Sequence, residues 1–167
     1  MKSGSLIPIF IVAILVEGCF SYSFTGASVP PHLKTIGIPI ALDQSGFGDP
    51  ILRDEFSRQL VDVFVQDNSL QIADKTTSDA LLETVITAVR NTPEVVQGGD
   101  AVSKWKIAVT VRATFQDLRL KKKVWEKDFS QFGLYDASAG LTGRTEGLKE
   151  AIRKLTEDIL LESVSGW

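Results

Sequence analysis

Between Lys104 and Gln116 the chain alternates: Trp105, Ile107, Val109, Val111, Ala113 and Phe115 take the odd positions, and Lys104, Lys106, Ala108, Thr110, Arg112, Thr114 and Gln116 the even ones. Successive side chains of an extended strand point to opposite faces, so this period of two specifies a strand with one apolar and one wet face. At ~3.3 Å per residue the run extends about 43 Å. An apolar face of that length needs a second layer to cover it, and the sequence supplies two helices. The first opens at Asp49-Pro50, with Asp as N-cap and Pro at the first helical position. Leu52, Phe56, Leu60, Val63 and Phe64 then recur at helical spacing to about Asp67, with Arg53, Asp54, Arg58 and Asp62 on the other faces. The second carries Leu148, Ala151, Ile152, Leu155, Ile159 and Leu160 as its stripe and Gly166 as its stop signal. A loop with Ser138, Gly140 and Gly143 is expected to lead into it.

The remaining strands are shorter. Thr35 to Ile40 is β-branched and bounded by breakers, and Pro39 suggests an edge or a strand end. A turn-rich stretch, Asp43 to Gly48, separates it from the first helix. Ser69 to Ala73 reads as a second strand, followed by polar turns to Asp79. Residues 80–89 fit two templates: Leu81, Leu82, Val85 and Val89 share a helical face, whereas Thr84 to Val89 is β-branched and stops at Asn91-Thr92-Pro93. A strand preceded by a helical turn is the favoured reading. Gln97 to Asp100 reads as a hairpin tip. After a polar connection, Asp117 to Lys123, the segment Val124 to Phe132 pairs back with Trp125 and Phe129 on one face. The order implies an α+β two-layer sandwich with both helices on one face of the sheet and the other face polar and open. Phe56, Leu60, Val109, Val111 and Ile152 should be buried between the layers. A length of 167 residues suits one domain, and 44% hydrophobic content is enough for its core.

The N-terminus points to export. Lys2 precedes an apolar run from Leu6 to Val16, about half the length a membrane-spanning helix needs, which fits the apolar region of a secretory signal. Val16-Glu17-Gly18-Cys19 follows and resembles the lipobox of bacterial lipoproteins. There a peptidase needs a small residue before the cut, and the cysteine thiol takes a diacylglycerol; Glu17 departs from the usual small neutral residue. The expected organisation is a lipoprotein signal peptide over 1–18, a lipidated tether over 19–33, rich in Ser, Gly and Pro, and a single α+β domain over 34–167. Lipid attachment at Cys19, by acyl chains such as palmitate, would hold the protein stably, since more than one chain is needed for a firm anchor.

The same composition excludes several kinds of chemistry. Cys19 is the only cysteine and His32 the only histidine, so neither a disulfide nor a His/Cys metal site is available. His32 reads as an exposed loop residue in the tether. No Ser/His/Asp set can be assembled, and Gly98-Gly99 lacks the lysine and strand–loop–helix setting of a phosphate loop. No enzyme activity and no cofactor are expected. A net charge of −3 argues against nucleic acid as a partner.

A family resemblance then emerges. Cys19 to Gly26 and Pro30 to Ile36, together with Leu52 to Phe56, Asp67 to Leu70, Val109 to Phe115, Thr156 to Leu160 and Val164 to Trp167, form an ordered set. It resembles the LptE family of lipopolysaccharide-assembly lipoproteins, in the version found outside the enteric bacteria. The resemblance implies two helices against a mixed sheet and a non-enzymatic role on the periplasmic face of the outer membrane. It implies two partners: a β-barrel translocon that the lipoprotein helps assemble and plugs, and lipopolysaccharide itself. Of the family's functional residues only Cys19 carries over. A structural lipoprotein that docks another envelope protein, and a periplasmic small-ligand-binding module, are the alternative readings. From the residues themselves, the candidate glycolipid contacts are Lys104, Lys106 and Arg112 on the wet strand face, with Lys121, Lys122 and Lys123 at the nearby turn. Arg and Lys suit lipid phosphates through charge-assisted hydrogen bonds, although strand lysines also serve solvation and edge protection.

Overall fold

In the computed structural model the described residues are 29–97, 101–165 and 167. The proposed signal peptide, Cys19 and most of the tether therefore lie outside them, as do the hairpin tip at 98–100 and the stop signal Gly166.

The elements in chain order are β1 (Thr35–Gly37), β2 (Leu42–Asp43), α1 (Pro50–Asp67), β3 (Gln71–Ile72), β4 (Ala80–Gln97), β5 (Ala101–Asp117), β6 (Lys122–Asp136), a single 3₁₀ turn (Ala137–Ala139) and α2 (Gly140–Ser165). They build one mixed sheet in the order β3-β1-β4-β5-β6, with β2 also paired to β4. The short strands β1, β2 and β3 run parallel to their neighbours, whereas β4, β5 and β6 form an antiparallel meander. Both helices pack on one face, so the α+β sandwich is as expected.

Helix α1 begins where its cap predicts. The Asp49 carboxylate accepts from the Ile51 amide at 3.0 Å, and Pro50 opens the first turn. It ends at Asn68, whose left-handed φ of 57° lets its amide donate to the Phe64 carbonyl. Leu52, Phe56, Leu60 and Phe64, spaced by four, are buried, and they meet Ile107, Val109, Val111, Ala113 and Phe115 of β5 and Leu148, Ala151, Ile152, Leu155 and Ile159 of α2 in one core. All five residues expected in the core are within it.

Four local readings need correction. Residues 80–89 are strand, and β4 runs on through Asn91-Thr92-Pro93 to Gln97. Proline is tolerated because β2 pairs only with Val85 and Ile86, and beyond it, among the described residues, one side of β4 has no ladder to donate to. The register also slips between Pro93 and Val95. Strand β6 extends to Asp136, four residues past the expected end, because β5 offers a partner up to Lys104. Helix α2 starts at Gly140, so Gly143 lies within it. Gly143 and Gly147 form one face of its first turns, and a Cβ on Gly133 of β6 would lie 2.0 Å from the Gly147 carbonyl oxygen. Helix and strand backbones touch here, which only residues without side chains permit. Finally, the short strand β2 is not foreseen: it covers Leu42 and Asp43, and Asp43 is the first residue of the stretch read as turn.

The end of the sheet that holds Thr35, Ala80, Asp117 and Lys122 is called the lower end below; the end near Lys104 and Asp136 is the upper end.

Candidate functional site

Two surfaces could carry function: the open sheet face and the lower end where the tether enters.

On the open face the strand register sets side chains in rows. From the upper end these are Thr92–Lys106–Leu134, Arg90–Ala108–Phe132, Ala88–Thr110–Ser130, Val85–Arg112–Asp128 and Glu83–Thr114–Glu126. Lys104, Lys106 and Arg112 therefore share the face, as the alternation predicted. They do not share a state. The Arg112 guanidinium makes a two-point pair with Asp128, Nε to Oδ1 at 2.9 Å and a terminal nitrogen to Oδ2 at 3.2 Å. That hydrogen bond raises the Arg112 pKa above its ordinary value and holds the Asp128 carboxyl below its own. Lys106 pairs with Glu94 at 2.9 Å and sits 5.3 Å from the centre of the Phe132 ring. Among the described residues Lys104 and Arg90 have no ion pair.

The face is not uniformly polar, which corrects the sequence reading. Phe132 and Leu134 are both 41% exposed on it. Lys154 of α2 reaches round the β6 edge to donate to the Phe132 carbonyl and also lies 5.3 Å from its ring. The upper rows thus combine apolar area with Arg90, Lys104 and Lys106, whereas the lower rows are closed by Arg112–Asp128, Gln116–Glu83 and Lys123–Glu126. Sequence reasoning missed Arg90, Phe132 and Leu134. The parity of β6, with Phe129 inward, would have put Phe132 and Leu134 outward; Arg90 needed the β4 register. Two open grooves, of about 350 and 400 Å³, flank Ile40 on either side of the β1–β2 link, and the second is lined by Leu42, Val85 and Arg112 among others.

At the lower end two buried carboxylates organise the backbone. Asp79 Oδ2 accepts from the amides of Lys34 and Thr35 at 3.0 and 3.1 Å, and its Oδ1 accepts from Arg119 at 2.5 Å. The Lys34 amide and the Arg119 guanidinium are the main causes that hold the Asp79 carboxyl far below the usual carboxylate range, with burial opposing them. Asp117 Oδ1 caps the Leu120 amide at 2.8 Å, and its Oδ2 meets His32 Nε2 at 2.6 Å. Burial pushes the Asp117 carboxyl up, but the His32 hydrogen bond, the Leu120 and Arg119 amides and the His32 charge bring it below its ordinary value. His32 is the exposed turn residue that was expected, but it has a buried partner. It ties the tether's exit to the end of β5, and Leu33 beside it is buried.

Comparison with known proteins gives this arrangement a place. The family model described as lipopolysaccharide-assembly, LptE, matches residues 33–162. The chain belongs to the LptE family. The match spans nearly all of the described domain, from the buried Leu33 to the last turn of α2. No curated protein sequence matches the chain. Among solved structures, a protein from Xanthomonas campestris superposes with a TM-score of 0.61 at 11% identity, covering 84% of this chain and 92% of that one. A hypothetical protein from Chlamydia trachomatis gives 0.59 at 9% identity, covering 78% and 95%. Rare lipoprotein B from Shewanella oneidensis gives 0.53 at 11% identity, covering 77% and 92%. At these identities the likeness speaks for the fold alone. Among the described residues of this LptE-family chain, no group of three or more His, Cys, Asp or Glu side chains could hold a metal ion, and no helix is long and apolar enough to cross a membrane.

Proposed function

We propose that this LptE-family chain is a non-enzymatic outer-membrane lipoprotein, anchored through acyl chains on Cys19 and held on the periplasmic face. There it assembles with and plugs a β-barrel translocon that delivers lipopolysaccharide to the cell surface. The observation that carries this reading is the family match over residues 33–162, preceded in the sequence by an apolar leader and a lipobox-like Cys19. Glycolipid contact belongs to the upper rows of the open face. There Lys104 presents a cation beside Phe132 and Leu134, a pairing suited to a phosphorylated, acylated ligand, and Lys106 joins it once a phosphate displaces its single contact to Glu94. Arg112 contributes least, because a phosphate must first displace Asp128.

Two experiments test the proposal. Affinity purification of the acylated protein from native membranes should recover a large outer-membrane β-barrel as the main partner; recovery without any barrel would defeat the plug role. Changing Cys19→Ala should abolish incorporation of a fatty-acid analogue, and unchanged labelling would defeat the anchor.

A further inference from the structure

The β5–β6 turn, Leu118 to Lys121, stands out from the other surfaces in three ways. First, it is strongly basic: Arg119, Lys121, Lys122 and Lys123 occur within five residues. Arg119 is committed to Asp79 and Lys123 to Glu126, but among the described residues Lys121 and Lys122 have no ion pair. Second, it holds an apolar side chain out among these charges, since Leu120 is 66% exposed. Third, it is rigidly coupled to the tether's exit. Asp117 bonds both the turn, at the Leu120 amide, and the exit, at His32. Asp79 likewise bonds Arg119 on one side and the Lys34 and Thr35 amides on the other, while the Leu118 amide donates to the Asp79 carbonyl at 2.8 Å. Wherever the N-terminal segment is fastened, this turn is fastened with it.

Distance then selects the partner. Cys19 precedes Val29 by ten residues, which reach about 36 Å at most when fully extended. Lys104 lies thirteen residues up β5 from Asp117, about 43 Å along the strand. A domain held through its N-terminus thus keeps its lower end nearest the bilayer, with the upper end standing away. Exposed Trp167, whose ring packs edge-on against Phe115 at 5.4 Å, is at this lower end too. An exposed leucine followed by two lysines without ion pairs, with an indole at the same end of the sheet, is a side-chain set suited to a lipid–water boundary: apolar atoms enter, and ammonium groups meet headgroup phosphates.

We propose that the Leu118–Lys121 turn, with Lys122, docks on anionic phospholipid headgroups of the leaflet that holds the protein's own N-terminal anchor. The turn fixes the orientation of the domain, and the anchor supplies the affinity. Lys121 adds a further mark: its φ of 53° is left-handed, a conformation glycine takes at lower cost. The proposal rests on membrane attachment through the N-terminus and is independent of the translocon.

The test uses the full chain reconstituted in vesicles of phosphatidylcholine, or of phosphatidylcholine and phosphatidylglycerol in a two-to-one ratio. A water-soluble acetylating reagent modifies accessible lysines, and peptide mass spectrometry reads each site. Lys121 and Lys122 should react about fivefold more slowly in the anionic vesicles, as expected for a lysine held at a charged surface. Lys104 should react equally in both, and high salt should restore the turn's reactivity. Leu120→Ser, at an exposed position that leaves the fold intact, should reduce the protection. Protection that is equal in the two vesicle types, equal at Lys104, or unchanged by Leu120→Ser would overturn the proposal. The same spectra show whether Cys19 is acylated. An unmodified Cys19 would defeat the lipoprotein reading and, with it, the attachment on which the proposal rests, whereas an acylated Cys19 with an unprotected turn would defeat the proposal alone.

Discussion

At the lower end of the sheet, Phe115, Leu82 and Phe64 fill the core and two buried carboxylates hold the entering chain; at the upper end, Gly133 and Gly147 bring a strand and a helix backbone into contact with nothing between them. The outer surfaces differ to match. The lower rows of the open face are closed by cross-strand pairs such as Arg112–Asp128, whereas the upper rows leave Phe132 and Leu134 exposed beside Lys104. On the open face the lower rows thus use their charged groups in side-chain pairs, and the upper rows keep apolar area and Lys104 accessible. Side-chain packing also tolerates small adjustments that a backbone-to-backbone contact does not, so the two ends should fail differently.

The largest effect should come from the core that joins them. Phe56→Ala removes a fully buried ring and should cost about 3–5 kcal/mol in chemical denaturation; a cost under about 1 kcal/mol would mean that α1 does not bury this face. Gly133→Ala places a methyl group on the Gly147 carbonyl and should cost about 1–3 kcal/mol as overpacking. It should also loosen the 2.7 Å bond from Asn91 Nδ2 to the Tyr135 hydroxyl while sparing the lower end, a split that amide exchange can read. If protection at Leu118 and Leu120 fell as far as protection in the first turns of α2, the two ends would not be separable.

Acid should act at the opposite end. Asp79 and Asp117 have folded-state pKa values below their ordinary ones. Their contribution to stability is therefore full above about pH 4, the unfolded carboxylate range, and is lost as pH falls through the folded values. Exchange at Leu118, Leu120, Lys34 and Thr35 should rise first on acidification. Asp117→Asn should flatten part of that dependence; an unchanged acid profile would remove Asp117 as a cause. The smallest effects on stability, within about 0.5 kcal/mol, belong to Lys104→Gln and Arg112→Gln. Their comparison is instead in binding: lipopolysaccharide affinity should fall more for Lys104→Gln than for Arg112→Gln, with the difference shrinking at high salt. The reverse order would move the contact down the sheet.

The fold was legible wherever a period repeats over many residues. The β5 alternation, the spacing of four in α1 and its Asp49-Pro50 start predicted elements that form as read. The misses share a cause: each depends on a neighbour distant in sequence. Pro93 continues a strand because, among the described residues, β4 has no partner on one side beyond β2. Gly143 looks like a loop residue until the first turns of α2 pack against β6, where a Cβ on it would meet Tyr135 at 3.4 Å and the next glycine on that face, Gly147, touches Gly133. His32 looks idle until Asp117, 85 residues away, comes within 2.6 Å. The candidate site was half legible for the same reason. The parity of β5 put Lys104, Lys106 and Arg112 on one face, but their partners Glu94 and Asp128 lie on other strands.

By itself, then, the sequence determined the layer order and the buried faces of α1, β5 and α2, because these depend on local periodicity and on residue types at fixed spacing. The tertiary structure alone decided which cations remain unpaired, where backbones touch and how the tether is clamped to the β5–β6 turn. Those outcomes depend on strand register, and a shift of one residue in register would have exchanged every partner across the sheet.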